Sequence, residues 1–74
     1  MDRRVVNWRC GMLDLLEAAA LHAGPVELRL ANGWRRVVAQ DVVSAAGEDW
    51  LVTAGGERIA LGLIDAVRPA GDDR

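Results

Sequence analysis

The 74 residues hold a single hydrophobic core: a chain of this size buries only about 60% of its unfolded surface, which excludes a multidomain architecture and makes stability marginal. Apolar residues are 51% of the chain, yet no uncharged run approaches the roughly 20 residues of a membrane-crossing helix, and the lone cysteine, Cys10, excludes a disulfide-stapled scaffold and agrees with a reducing compartment. The nine basic residues are all arginine and face eleven acids, a formal net charge of −2, so the basic excess of a domain that neutralises phosphates is missing and no direct nucleic-acid binding is expected.

Taken in chain order, the first nine residues carry Arg3, Arg4 and Arg9, while Asn7-Trp8-Arg9 interrupts what a signal peptide would need as its apolar segment. The expectation is an N-terminal arm over 1–9, free to be disordered, on a cytoplasmic protein. A helix is predicted from about Gly11 to His22, with Asn7 and Cys10 as candidate caps, Gly24 in the left-handed position after its end, and Pro25 unable to continue it. At 100° per residue Met12, Leu13, Leu15, Leu16, Ala19, Ala20 and Ala23 share the core side. Asp14, Glu17, Ala18 and Leu21 fall opposite. That outer side is either a solvated face or a docking surface on which Leu21 is the apolar anchor and the acids meet cationic groups.

Strand signals follow. Val26, Leu28 and Leu30 alternate and run into Asn32-Gly33, a strong hairpin signal because tight turns need positive φ. The second strand is expected over Trp34–Val43, and its doublets Val37-Val38 and Val42-Val43 break alternation as a bend or bulge does. Ser44–Asp49 reads as a loop, Trp50–Ala54 as a third strand and Gly55-Gly56 as a turn. A fourth strand would set Ile59, Leu61 and Leu63 on one face, Ile64–Arg68 would close the sheet, and 69–74 is an acidic tail. The order predicts an α+β fold: an N-terminal helix followed by a small, strongly bent antiparallel β-sheet or barrel, one domain over 10–68.

Single residues support few strong readings. Cys10 has no second cysteine or histidine near it and reads as structural; His22, at the end of the helix, reads as a cap or surface residue. Together they make no zinc site, and no metal or cofactor is expected. Asp41 and Asp65 read as acceptors for turn backbone. Trp8, Trp34 and Trp50 offer either a stacking platform or core volume, and with no Phe or Tyr in the chain one or two are expected inside. Arg29, Arg35 and Arg36 cluster as the solvated side of the first hairpin; the alternative reading makes them, with an exposed tryptophan, the surface of a small RNA-binding module. No nucleophile with a base, ligand set or phosphate-cradling glycine loop is visible, so no enzyme is expected.

Cys10-Gly11-Met12-Leu13-Asp14-Leu15-Leu16-Glu17 resembles the Cys-x-x-x-Asp-x-Leu-Glu signature at the helix start of the Rho-binding antiterminator (Rof) family. It is followed in order by Val26-Glu27-Leu28-Arg29-Leu30, Gly33, Asp41-Val42-Val43-Ser44, Glu48-Asp49-Trp50-Leu51-Val52 and Ile64-Asp65-Ala66-Val67, which look like the family's strand, glycine turn, Asp-Leu-Val-Ser, Glu-aromatic-Leu-Val and Leu-Asp-x-Ile elements. The likeness spans about Cys10 to Val67. Val5-Val6-Asn7-Trp8 stands where members often carry Tyr-x-Pro-Ile, and Trp8 can replace that aromatic. The resemblance implies an Sm-like fold and a protein that binds the N-terminal RNA-binding domain of the termination factor Rho, covers its primary RNA site and suppresses termination. It also implies that Asp14 and Glu17 are the carboxylates that pair with Rho's cationic groups, beside Ala18 and Leu21. Glu48 and Asp49 are candidates for a second contact region.

Overall fold

A computed structural model describes residues 5–70; Arg3 and Arg4 of the expected arm and 71–74 of the expected tail lie outside them. The fold is α+β. Helix α1 (Arg9–Leu21) is followed by β1 (Pro25–Leu30), β2 (Gly33–Ala45), β3 (Glu48–Thr53), β4 (Arg58–Ala60), one 3-10 turn (Leu61–Leu63) and β5 (Ala66–Pro69). The strands form one antiparallel sheet in the order β4-β3-β2-β1-β5. It is strongly bent but does not close into a barrel: β4 ends after three residues, and the 3-10 turn with buried Leu61 and Ile64 fills the gap between the two edges.

The bend lies in β2, the strand shared by both halves. Its pairing with β3 shifts between Ala39 and Asp41, leaving Gln40 as the extra residue of a bulge, as the valine doublets on either side predict. Val26, Leu28, Val37, Ala39, Leu51, Ile59, Leu61 and Val67 line the inner side, and Met12 and Leu16 of α1 pack into the same cluster. The core is aliphatic, which corrects the expectation that tryptophan supplies its volume. Strand parity is the reason: Trp34 sits opposite Arg29, and Trp50 opposite Val43 and Ala60, on outward-facing positions.

Both helix ends differ from the sequence reading. The helix starts at Arg9 because the Trp8 carbonyl accepts the Met12 N–H at 2.8 Å, and neither Asn7 nor Cys10 caps it. The Trp8 indole lies so close over Gly11 that an added Cβ there would stand 2.5 Å from the ring. At the far end the left-handed residue is Ala23, φ 50°, rather than Gly24. Ala23 N–H bonds Ala20 O at 3.1 Å and Gly24 N–H bonds Ala19 O at 2.8 Å, a Schellman ending shifted one residue earlier than expected. Ala23→Gly should relieve a left-handed cost of about 1–2 kcal/mol while adding about 0.4–1 kcal/mol of unfolded-state entropy. The expected net is a gain of about 0.5–1 kcal/mol, seen as a Tm higher by a few degrees; an unchanged or lower Tm contradicts it.

The first hairpin turns on Ala31 and Asn32, with positive φ at Gly33 alone. The stretch read as a loop, Ser44–Asp49, is instead mostly strand around the two-residue turn Ala46-Gly47, whose φ values are 55° and 77°. The expected Ile59, Leu61, Leu63 face also fails: the 3-10 turn breaks alternation at Leu61 and leaves Leu63 67% exposed. Ahead of α1, Val6 and Val67 exchange both backbone hydrogen bonds at 2.8 Å, so part of the expected arm is tied to the free side of β5. Arg35 of β2 makes a bidentate contact with Glu57 in the β3–β4 turn. That hydrogen bonding holds the Glu57 carboxyl below the usual carboxylate range and raises the Arg35 guanidinium.

Candidate docking face

Positions i, i+3, i+4 and i+7 of a helix share one side, and Asp14, Glu17, Ala18 and Leu21 have this spacing on α1. All four are exposed, Leu21 to 82%. The opposite side explains their orientation: Met12 and Leu16 are drawn into the core and Leu13, Leu15, Ala19 and Ala20 pack partly against it, so the remaining stripe faces outward. Ala23, expected on the core side, is exposed because the helix has ended before it.

Two shallow grooves flank the stripe. One, about 260 Å³, is lined by Glu17, Ala20, Leu21, Asp41 and Val42. The other, about 340 Å³, is lined by Val6, Trp8, Gly11, Asp14 and Leu15, with Trp8 57% exposed along it. Asp41, which the sequence assigns to turn backbone, lies instead within β2 and accepts the N–H of its strand neighbour Val42 at 2.8 Å. The bulge at Gln40 also brings it beside the second half of α1, a placement no local signal in the sequence announces. Among the described residues no arginine lies within ion-pair distance of Asp14, Glu17 or Asp41. The face is therefore a row of carboxylates around an aliphatic knob, bounded at one end by an indole.

Glu48 and Asp49 are placed elsewhere, at the β2–β3 hairpin, and are engaged within the fold. Glu48 Oε2 accepts the Gly62 N–H at 3.3 Å, and Asp49 accepts from the Ser44 hydroxyl at 2.6 Å and from Arg9 at 3.4 Å. Asp65 uses its backbone N–H, bonded to Arg29 O at 2.8 Å. The arginine cluster read from sequence divides between two faces: Arg35 turns to Glu57, whereas Arg29 and Arg36 lie on the other side of the hairpin. Cys10 and His22 are exposed. Among the described residues no three His, Cys, Asp or Glu side chains converge as metal ligands do, and no helix is long and apolar enough to cross a membrane.

Compared with protein-family models, with curated proteins and with solved structures, the chain matches none.

Proposed function

We propose that the chain is a non-catalytic cytoplasmic regulator that binds the N-terminal RNA-binding domain of the termination factor Rho, covers its primary RNA site and so suppresses termination, as its resemblance to the Rof family implies. The observation that carries this reading is the exposed helix stripe of Asp14, Glu17, Ala18 and Leu21, which the core-facing pattern leaves outward and which no cation of the described residues neutralises. A groove that holds RNA phosphates is rich in cationic groups. Carboxylates spaced along a rigid helix compete for those groups by charge, and Leu21 adds apolar contact once they are engaged. Glu48 and Asp49, tied to the 3-10 turn and to the helix start, would form a second contact region with the same partner.

Calorimetric titration of Rho's N-terminal domain tests the reading directly. Binding is expected to weaken with salt and to be lost in Asp14→Lys/Glu17→Lys, a change at two exposed positions that leaves the core intact. No heat and no complex on gel filtration at about tens of micromolar removes the proposal and leaves the helix stripe to a different basic partner.

A further inference from the structure

The outer side of β1, β2 and β5 is turned away from the core and from α1, and the strand register assembles there residues that are distant in sequence. Glu27 on β1 lies between Arg36 on β2 and Arg68 on β5, and one pleat further along β1 Arg29 lies beside Trp34. Arg68 donates from Nε to Glu27 Oε1 at 2.7 Å, and its guanidinium carbon stands 3.9 Å from the centroid of the Trp34 ring. Arg29 and Arg36 are exposed, with no acidic partner among the described residues. Among the described residues the face carries three guanidinium groups against one carboxylate, and Arg68 already occupies that carboxylate.

Two features decide what such a face can hold. Guanidinium forks match phosphate oxygens bidentately, and planar groups, indole or guanidinium, accept nucleic-acid bases by stacking. Here the plane is built in advance. Arg68 is pinned by Glu27 and by the indole, and Trp34 keeps 37% of its surface exposed, so little side-chain freedom is lost on binding. The face is a sheet surface rather than a pocket, which suits a strand of linked anions more than a single small one. An acidic polypeptide would satisfy the charge but leave the stacked plane without a matching π surface.

We propose that this face binds single-stranded nucleic acid, with Arg29 and Arg36 on phosphates and a base lying on the exposed part of the Trp34–Arg68 stack. The site is independent of the partner assigned to the helix, whose acids lie on another side of the molecule.

Fluorescence anisotropy of a labelled oligouridine with the full chain provides the test. Binding is expected in the micromolar range usual for non-specific association, weakening roughly sevenfold between about 50 and 200 mM salt, since each single-strand phosphate contact contributes a slope of about −0.7 and two are proposed. Arg29→Glu/Arg36→Glu should weaken binding at least about tenfold and flatten the salt dependence. Trp34→Leu, checked for folding by circular dichroism, should weaken it about fivefold or more. Asp14→Lys/Glu17→Lys should bind at least as well as the parent, so a failure of the Rho titration leaves this result standing. The proposal is overturned if no anisotropy change occurs at low salt up to about hundreds of micromolar, or if the arginine reversals bind as the parent does. It is also overturned if polyglutamate displaces the oligonucleotide as effectively as unlabelled oligouridine does, which would assign the face to an acidic protein.

Discussion

Leu16→Ala is expected to destabilise the fold by about 2–5 kcal/mol, the range for removing a fully buried leucine and leaving part of its volume empty. Leu16 has no solvent exposure and sits in the cluster shared by α1 and the inner side of the sheet. A chain of this length has a total stability on the order of 4–11 kcal/mol. The substitution therefore removes a large fraction of it, and Tm should fall by at least about 10 °C. The site has little capacity to collapse around the vacancy, because Leu28, Leu51, Val26 and Val67 around the core are themselves fully buried and held by the strand ladders. Thermal and urea unfolding followed by far-ultraviolet circular dichroism measures the loss. A Tm within a degree or two of the parent would mean that the helix is not part of the core.

Leu21→Arg is expected to give the opposite pattern from the same helix. At 82% exposure the side chain contributes almost nothing to folding, and unfolding should be unchanged within about 0.5 kcal/mol. Against Rho's N-terminal domain, however, the variant would bring a cation to the proposed basic groove and remove the proposed apolar anchor. A loss of 2 kcal/mol or more, typical of a central anchor, corresponds to about 30-fold weaker binding. Because the contact forms after encounter, the change should appear mainly as faster dissociation, whereas single reversals at Asp14 or Glu17 should mainly slow association and lessen its salt dependence. Surface plasmon resonance separates the two rates. Unaltered dissociation of Leu21→Arg from a Rho domain that binds the parent would take Leu21 out of the interface.

Much of the architecture was legible because local signals and tertiary packing agree. The spacing of Met12 and Leu16 predicted which side of the helix is buried, and the alternation of Val26 and Leu28 predicted the inner side of β1. The doublets around Gln40 predicted the bend. What escaped the reading was governed by unusual backbone angles or by partners far along the chain. Ala46 and Ala23 adopt positive φ, which alanine rarely does, so composition alone gives no sign of the tight β2–β3 turn or of a helix end one residue before the glycine. Leu61–Leu63 keeps a strand-like composition but winds into a 3-10 turn, held by the Ile64 N–H to Leu61 O bond, the Glu48 contact to Gly62 and the buried Leu61 and Ile64.

The two surfaces follow the same division. The helix stripe is periodic and is read directly; Arg29, Arg36 and a tryptophan are legible as a candidate RNA surface, but the stack that completes it needs Arg68 of β5 beside Glu27 of β1, 41 positions apart. A net charge of −2 describes the whole chain and conceals how the fold sorts its charges. Carboxylates gather along α1 and at Asp41, and guanidinium groups gather on the outer side of β1, β2 and β5.

The Val6–Val67 exchange of hydrogen bonds bears on behaviour in concentrated solution. A strand whose outer amides and carbonyls stand free can recruit an identical strand from a neighbour and begin open-ended polymerisation. Here one border of the sheet has its central residue already paired by the chain's own leading segment, and the other border is only three residues long with Arg58 at its start. Each border thus presents only a short ladder for a sister molecule to extend.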